Sequence, residues 1–83
     1  MKNQLITGID IGNSSVKTVI AEVDRDFSYP RIIGVGLVES RGLRRGVVVD
    51  MEETINNVGD SVRQAETMAG VKIHKAFVGI NGL

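Results

Sequence analysis

In LITGIDIGNSSVKTVIAEV, Leu5 to Val23, two runs rich in β-branched residues flank a cluster of small polar ones. Leu5 to Ile11 reads as a largely buried strand, because apolar residues dominate and turn-forming residues bound it. Gly12, Asn13, Ser14 and Ser15 then supply the backbone freedom and short hydrogen-bonding side chains of a tight turn. Val16 to Val23 is a second strand, so the simplest local structure is an antiparallel hairpin.

Working outward from that hairpin, Asp24 to Pro30 is polar, holds the sole proline and predicts a second loop. Arg31 to Ser40 follows as a third strand, in which Gly34 and Gly36 imply an edge position or a close backbone approach. Arg41 to Asp50 (RGLRRGVVVD) is a loop with room for a short extended piece. Asp50 and Glu53 stand at capping-box spacing, each able to satisfy a backbone N–H that a first helical turn leaves open. Behind them Met51, Ile55, Val58, Val62, Ala65 and Ala69 recur with helical periodicity and predict one packed stripe. Met51 and Met68 read as helix packing. Gly70 is placed to end the helix with positive φ. Gly59, inside it, costs roughly 1 kcal/mol against alanine, for which a close helix-to-sheet contact would be a reason.

A last apolar run, Ala76 to Ile80, completes the order βββαβ: an α/β chain with a mixed sheet and one crossover helix. The right-handed crossover places the last strand parallel to a neighbour, most simply the first. That strand precedes only Asn81, Gly82 and Leu83, so one sheet face is expected to lack cover, as in a fragment of a larger domain. Its apolar edge, Ala76, Phe77, Val78 and Ile80, is expected to promote self-association.

Bulk properties narrow the function classes. The 83 residues carry ten basic and ten acidic side chains for a formal net charge of +0, with no cysteine. Such balance gives no field that would concentrate nucleic acid or anionic lipid, so neither is expected as a partner. Disulfides and thiolate metal sites are excluded. The start lacks the apolar core of a signal peptide, and no run approaches the roughly 20 apolar residues of a membrane span. A soluble, cytoplasmic chain is expected. His74 has no second His or Cys with which to form a ligand set.

The chemistry-bearing residues gather at the first turn. Asp10 lies near the C-terminal end of a strand, where α/β sheets collect ligands. Gly12 allows close backbone approach, and Asn13, Ser14 and Ser15 offer N–H groups and hydroxyls suited to an anion. Lys17 adds a point positive charge, and Asp10 is suited to hydrated Mg²⁺ or to orienting water. The plain alternative is a polar turn in which Asn13 and Ser14 satisfy their own backbone, and for the motif alone that reading is favoured.

The order of elements shifts the balance. With its first hairpin of the form D-x-G-[ST/N]-x-x-x-K, matched by Asp10, Gly12, Asn13, Ser14, Ser15 and Lys17, the chain resembles the start of an actin-like ATPase subdomain of the ribonuclease H-like class. GIDIGNSSVK, VESRGLRRGVVVD (Val38 to Asp50) and AFVGINGL (Ala76 to Leu83) together resemble the FtsA family of bacterial cell-division proteins. The resemblance covers essentially all of residues 1–83 and implies the N-terminal part of a nucleotide-binding subdomain, with the hairpin as first phosphate loop for ATP and Asp10 holding Mg²⁺ through water. It also implies parts not encoded here: a second phosphate loop, an adenosine site, a surface for the tubulin-like FtsZ and a membrane-targeting helix that places the family at the inner face of the membrane. Hydrolysis in the family is at most weak, and this stretch alone is not expected to be active.

Pilus-assembly ATPases, sugar kinases and chaperones of the actin-like class are nearer alternatives. Ribonuclease H-like nucleases and resolvases are more distant ones; they share the element order but need further carboxylates beside Asp10 to hold two metal ions.

Overall fold

The computed structural model describes residues 4–26 and 29–80. Phe27 and Ser28 of the expected second loop, and Asn81 to Leu83 after the last strand, lie outside the described residues. Strands β1 (Gln4–Ile11), β2 (Ser15–Val23) and β3 (Arg31–Glu39) form an antiparallel meander. A small hairpin, β4 (Leu43–Arg44) and β5 (Val47–Val48), precedes helix α1 (Met51–Ala69), and β6 (Phe77–Ile80) is the last element among the described residues. The main sheet has the order β3-β2-β1-β6, with β6 parallel to β1. It is thus a mixed four-stranded sheet with one crossover helix, and the two-residue strands β4 and β5 are the extended piece for which Arg41 to Asp50 left room.

Strand alternation sorts the sheet into two faces. Thr7, Ile9 and Ile11 of β1 stand opposite Ile20, Thr18 and Val16 of β2, and these pair in turn with Gly34, Gly36 and Val38 of β3. All nine except the half-buried Val38 are buried, on the face that α1 covers. The other face carries the exposed Ile6, Asp10, Lys17 and Leu37. β1 is therefore buried on one side only, not largely buried as its apolar content suggests, because the sheet has a single covering layer among the described residues.

Helix α1 comes so close to β2 and β3 that small residues make the contact. A Cβ built on Gly36 would meet the Ser61 carbonyl oxygen at 1.8 Å, and one on Gly34 would meet that of Ala65 at 2.3 Å. Both readings of these glycines hold, since β3 is an edge strand and the helix backbone lies on it. Ser61 Oγ sits 2.8 Å from Thr18 Oγ1 and 3.2 Å from the Gly36 carbonyl, which satisfies the buried hydroxyls.

The helix consequently meets the sheet along an edge of its apolar stripe: Val58, Val62, Ala65 and Ala69 face inward as expected, while Met51 and Ile55 do not. Thr54, Asn57, Ser61 and Ala65 are buried, while Met51, Ile55 and Met68 are exposed. Val58 and Val62 pack from the flank against the core of Ile9, Ile11, Val16 and Leu43. Gly59 has no sheet contact: its Cβ position would meet only the Arg63 guanidinium, at 3.3 Å.

The caps follow the sequence with one amendment. Asp50 Oδ1 accepts from the Glu53 N–H at 3.0 Å, and Gly70 ends the helix at φ 73. The reciprocal half of the capping box is replaced, because the Asp50 N–H donates to the Gly42 carbonyl at 3.1 Å.

Candidate functional site

The first hairpin brings Asp10 and Lys17 directly opposite each other, at the last ladder positions but one before the turn. Paired residues of an antiparallel ladder project to the same side, here the face away from α1. Both side chains are exposed. On its other flank Asp10 stands beside Gly79 of β6, and an open hollow of about 380 Å³ lies over Gly8, Asp10, Lys17, Val19, Phe77 and Gly79. The carboxylate and the ammonium thus border one solvent-accessible depression at the C-terminal end of β1.

The turn is closed by the Gly12 N–H donating to the Ser15 carbonyl at 2.9 Å. A side chain at Gly12 would bring its Cβ to 3.2 Å from that same oxygen, so glycine keeps the turn tight. Ser14 is exposed and Ser15 half-buried.

From behind, the turn is anchored by residues distant in sequence. The Ser40 N–H donates to the Ser14 carbonyl at 3.0 Å, and the Gly46 N–H donates to Asn13 Oδ1 at 2.9 Å. Asn13 therefore holds the β4–β5 hairpin rather than its own backbone. All six residues named from the motif, Asp10, Gly12, Asn13, Ser14, Ser15 and Lys17, fall in this one hairpin end, with Asn13 facing the second hairpin.

Sequence reading passed over the supporting residues. The Arg41 N–H donates to Asn57 Oδ1 at 3.0 Å, and Gly42 sits where a Cβ would lie 1.9 Å from Thr54 Oγ1. Gly46 has φ 77, the left-handed region that favours glycine. The spacing Ser40-Arg41-Gly42 with Gly46 was the one available sign of this segment: Gly42 lets the chain pass close to α1, and Gly46 lets it turn back toward Asn13.

No family model matches the chain. Its sequence is nonetheless 43% identical over 79 residues to the cell division protein FtsA of Pseudomonas aeruginosa, covering 95% of this chain and 19% of that protein. The FtsA of Bacillus subtilis is 42% identical over 80 residues, covering 96% and 18%, and that of Escherichia coli 35% identical over 79 residues, covering 95% and 19%. Among solved structures, diol dehydratase-reactivating factor in its nucleotide-free form superposes with a TM-score of 0.66 at 25% identity, over 94% of this chain and 12% of that one. Across nearly its whole length the chain is therefore an FtsA-type sequence, spanning about a fifth of the length of the curated relatives it matches.

Proposed function

We propose that this chain forms one wall of a nucleotide phosphate site in an actin-like, ATP-binding protein of bacterial cell division. The observation that carries the reading is the placement of Asp10 and Lys17 opposite each other on the open sheet face, immediately before a turn tied down from behind. In this reading the N–H groups and hydroxyls of Gly12 to Ser15 take phosphate oxygens, Lys17 offsets phosphate charge, and Asp10 holds Mg²⁺ through water. The residues fit such a group: the two charged side chains are exposed beside an open hollow, and Gly12 leaves the turn bare of a side chain. FtsA relatives support the division role, and the solved neighbour is described by its nucleotide-free state. Contacts with FtsZ, attachment of the division ring at the membrane and any slow ATP hydrolysis belong to this proposal for the longer protein. No helix among the described residues is long and apolar enough to cross a membrane.

A two-metal nuclease is the less favoured reading, because the register puts Lys17 and Gly79, not carboxylates, on either side of Asp10.

Asp10→Ala and Lys17→Ala, each made in an FtsA-length protein containing this segment, test the proposal. Each removes a charge-assisted interaction worth about 1.5 to 3 kcal/mol, so ATP affinity should fall at least about tenfold with Mg²⁺ present. Both side chains are exposed, so circular dichroism and melting temperature should be unchanged. Wild-type affinity in both variants would return the hairpin to the role of a plain polar turn.

A further inference from the structure

On the open sheet face the positions around Asp10 are bare. Its register partners there are Lys17 on β2 and Gly79 on β6, and Gly8 lies two residues back along β1. A Cβ built on Gly8 or on Gly79 meets nothing within 4 Å, and neither residue has positive φ. The registers of β1 with β2 and of β1 with β6 run without a bulge. The fold thus has room for a side chain at both positions and no backbone conformation that calls for glycine. Elsewhere glycine answers to the structure: Gly12 tightens a turn, Gly34, Gly36 and Gly42 admit α1, and Gly46 and Gly70 have positive φ. Glycine inside a strand weakens it, and where neither a bulge nor packing explains the residue it marks the close approach of a ligand or of another backbone.

Both glycines line the hollow that Asp10 and Lys17 border, so the clearing opens on a ligand and not on another part of the fold. Size and charge decide which ligand. Neighbouring strands stand about 4.8 Å apart. A Mg²⁺ ion that keeps its water shell is about 7 Å across, given metal–oxygen distances of about 2.1 Å and a water radius of about 1.4 Å. Held through water by the Asp10 carboxylate, such an ion overhangs a neighbouring strand. On the β2 side stands Lys17, whose positive charge repels it; on the β6 side stands Gly79, whose Cβ position is open. We propose that Gly79 is a positioning residue of the phosphate site: the bare backbone beside Asp10 leaves the space in which the hydrated Mg²⁺ of a metal–nucleotide complex is seated, on the side away from Lys17. Gly8 extends the same floor by one row. The inference rests on the phosphate reading of the first hairpin, to which it adds a residue of the last strand.

The test titrates wild type, Gly79→Ala and Gly79→Val, each kept dilute enough to be monomeric, with Mg–ATP and separately with ATP in EDTA. Backbone amide resonances follow binding, and melting temperatures are measured alongside. Both variants should melt a few degrees higher than wild type, since a side chain fits at this position and favours the strand. Mg–ATP should bind Gly79→Ala several-fold more weakly and Gly79→Val at least about tenfold more weakly. Metal-free ATP, held by Lys17 and the turn, should bind all three alike. A Gly79→Val that binds Mg–ATP like wild type would overturn the proposal and leave the phosphate reading standing. An equal loss in both titrations would overturn it too, because the side chain would then block the phosphates and not the water shell of the metal. So would a Gly79→Ala less stable than wild type, because the fold itself would then need the glycine. Absence of any response at Gly12 to Ser15 in wild type would instead fell the phosphate reading, and the role of Gly79 with it.

Discussion

Replacing Gly36 with alanine is expected to leave the chain unfolded. The added Cβ would lie 1.8 Å from the Ser61 carbonyl oxygen and 2.8 Å from its carbon, both backbone atoms of α1, so no side-chain rotation relieves the clash. The helix would have to lift from the sheet. That would break the Ser61 contacts to Thr18 and Gly36 and strand hydroxyls that are now buried and satisfied. Overpacking of this kind costs about 3 kcal/mol or more. A chain of this size has little stability to lose. Gly59→Ala is the control: its new methyl would meet only the movable end of Arg63, and alanine is favoured over glycine in a helix interior by about 1 kcal/mol. Urea unfolding followed by circular dichroism should show Gly59→Ala at a higher midpoint than wild type and Gly36→Ala without a cooperative transition. A cooperative Gly36→Ala near the wild-type midpoint would mean that the helix does not seat on β3 as described.

Self-association through β6 should be the other large effect. The two sheet edges are treated differently. At β3 the outward N–H of Leu37 is capped by Gln64 Oε1 at 2.9 Å, and Arg31 pairs with Glu22 at 3.1 Å. At β6 the outer side has no strand partner among the described residues, and Phe77, Val78 and Ile80 are 78%, 59% and 57% exposed. A bare apolar edge templates another chain. Sedimentation velocity over a concentration series should therefore show growth beyond the monomer. Phe77→Lys should suppress it, since a buried unpaired charge in such a contact is costly. A folded monomer at every concentration would contradict this and make the chain self-sufficient.

The element boundaries were largely legible because each rests on a local signal. Gly12 to Ser15, Asp50 with Glu53, and Gly70 mark where the backbone must turn, cap or reverse, and the strands and helix fall between them. The orientation of α1 was legible only in part: Val58, Val62, Ala65 and Ala69 face inward as the stripe predicts, but Met51 and Ile55 do not. Periodicity ranks residues by hydropathy, and Met51 and Ile55 scored as well as Val58 and Val62. The contact itself selects for size, since small residues such as Ser61, Ala65 and Ala69 let the helix approach Gly34 and Gly36, and Thr54 stands against Gly42. The two glycines in β3 held that information, but only once paired with the helix. At the site, Asp10 and Lys17 were readable as opposite members of a hairpin. Asn13 was not, because its partner Gly46 lies 33 residues away and a single side-chain-to-backbone hydrogen bond leaves no periodic trace.

The phosphate role of the first turn is tested most directly by titrating the isotope-labelled chain, kept dilute enough to be monomeric, with Mg–ATP and separately with Mg–AMP. Mg–ATP should shift the amides of Gly12 to Ser15 together with Asp10, Lys17 and Gly46, saturating at a Kd on the order of millimolar because one wall of the site acts alone. Mg–AMP, lacking the outer phosphates, should leave them in place. Shifts confined to the hollow lined by Leu5, Lys75 and Phe77, or no shifts at the turn at all, would contradict the assignment, and a Kd on the order of micromolar would contradict the one-walled site.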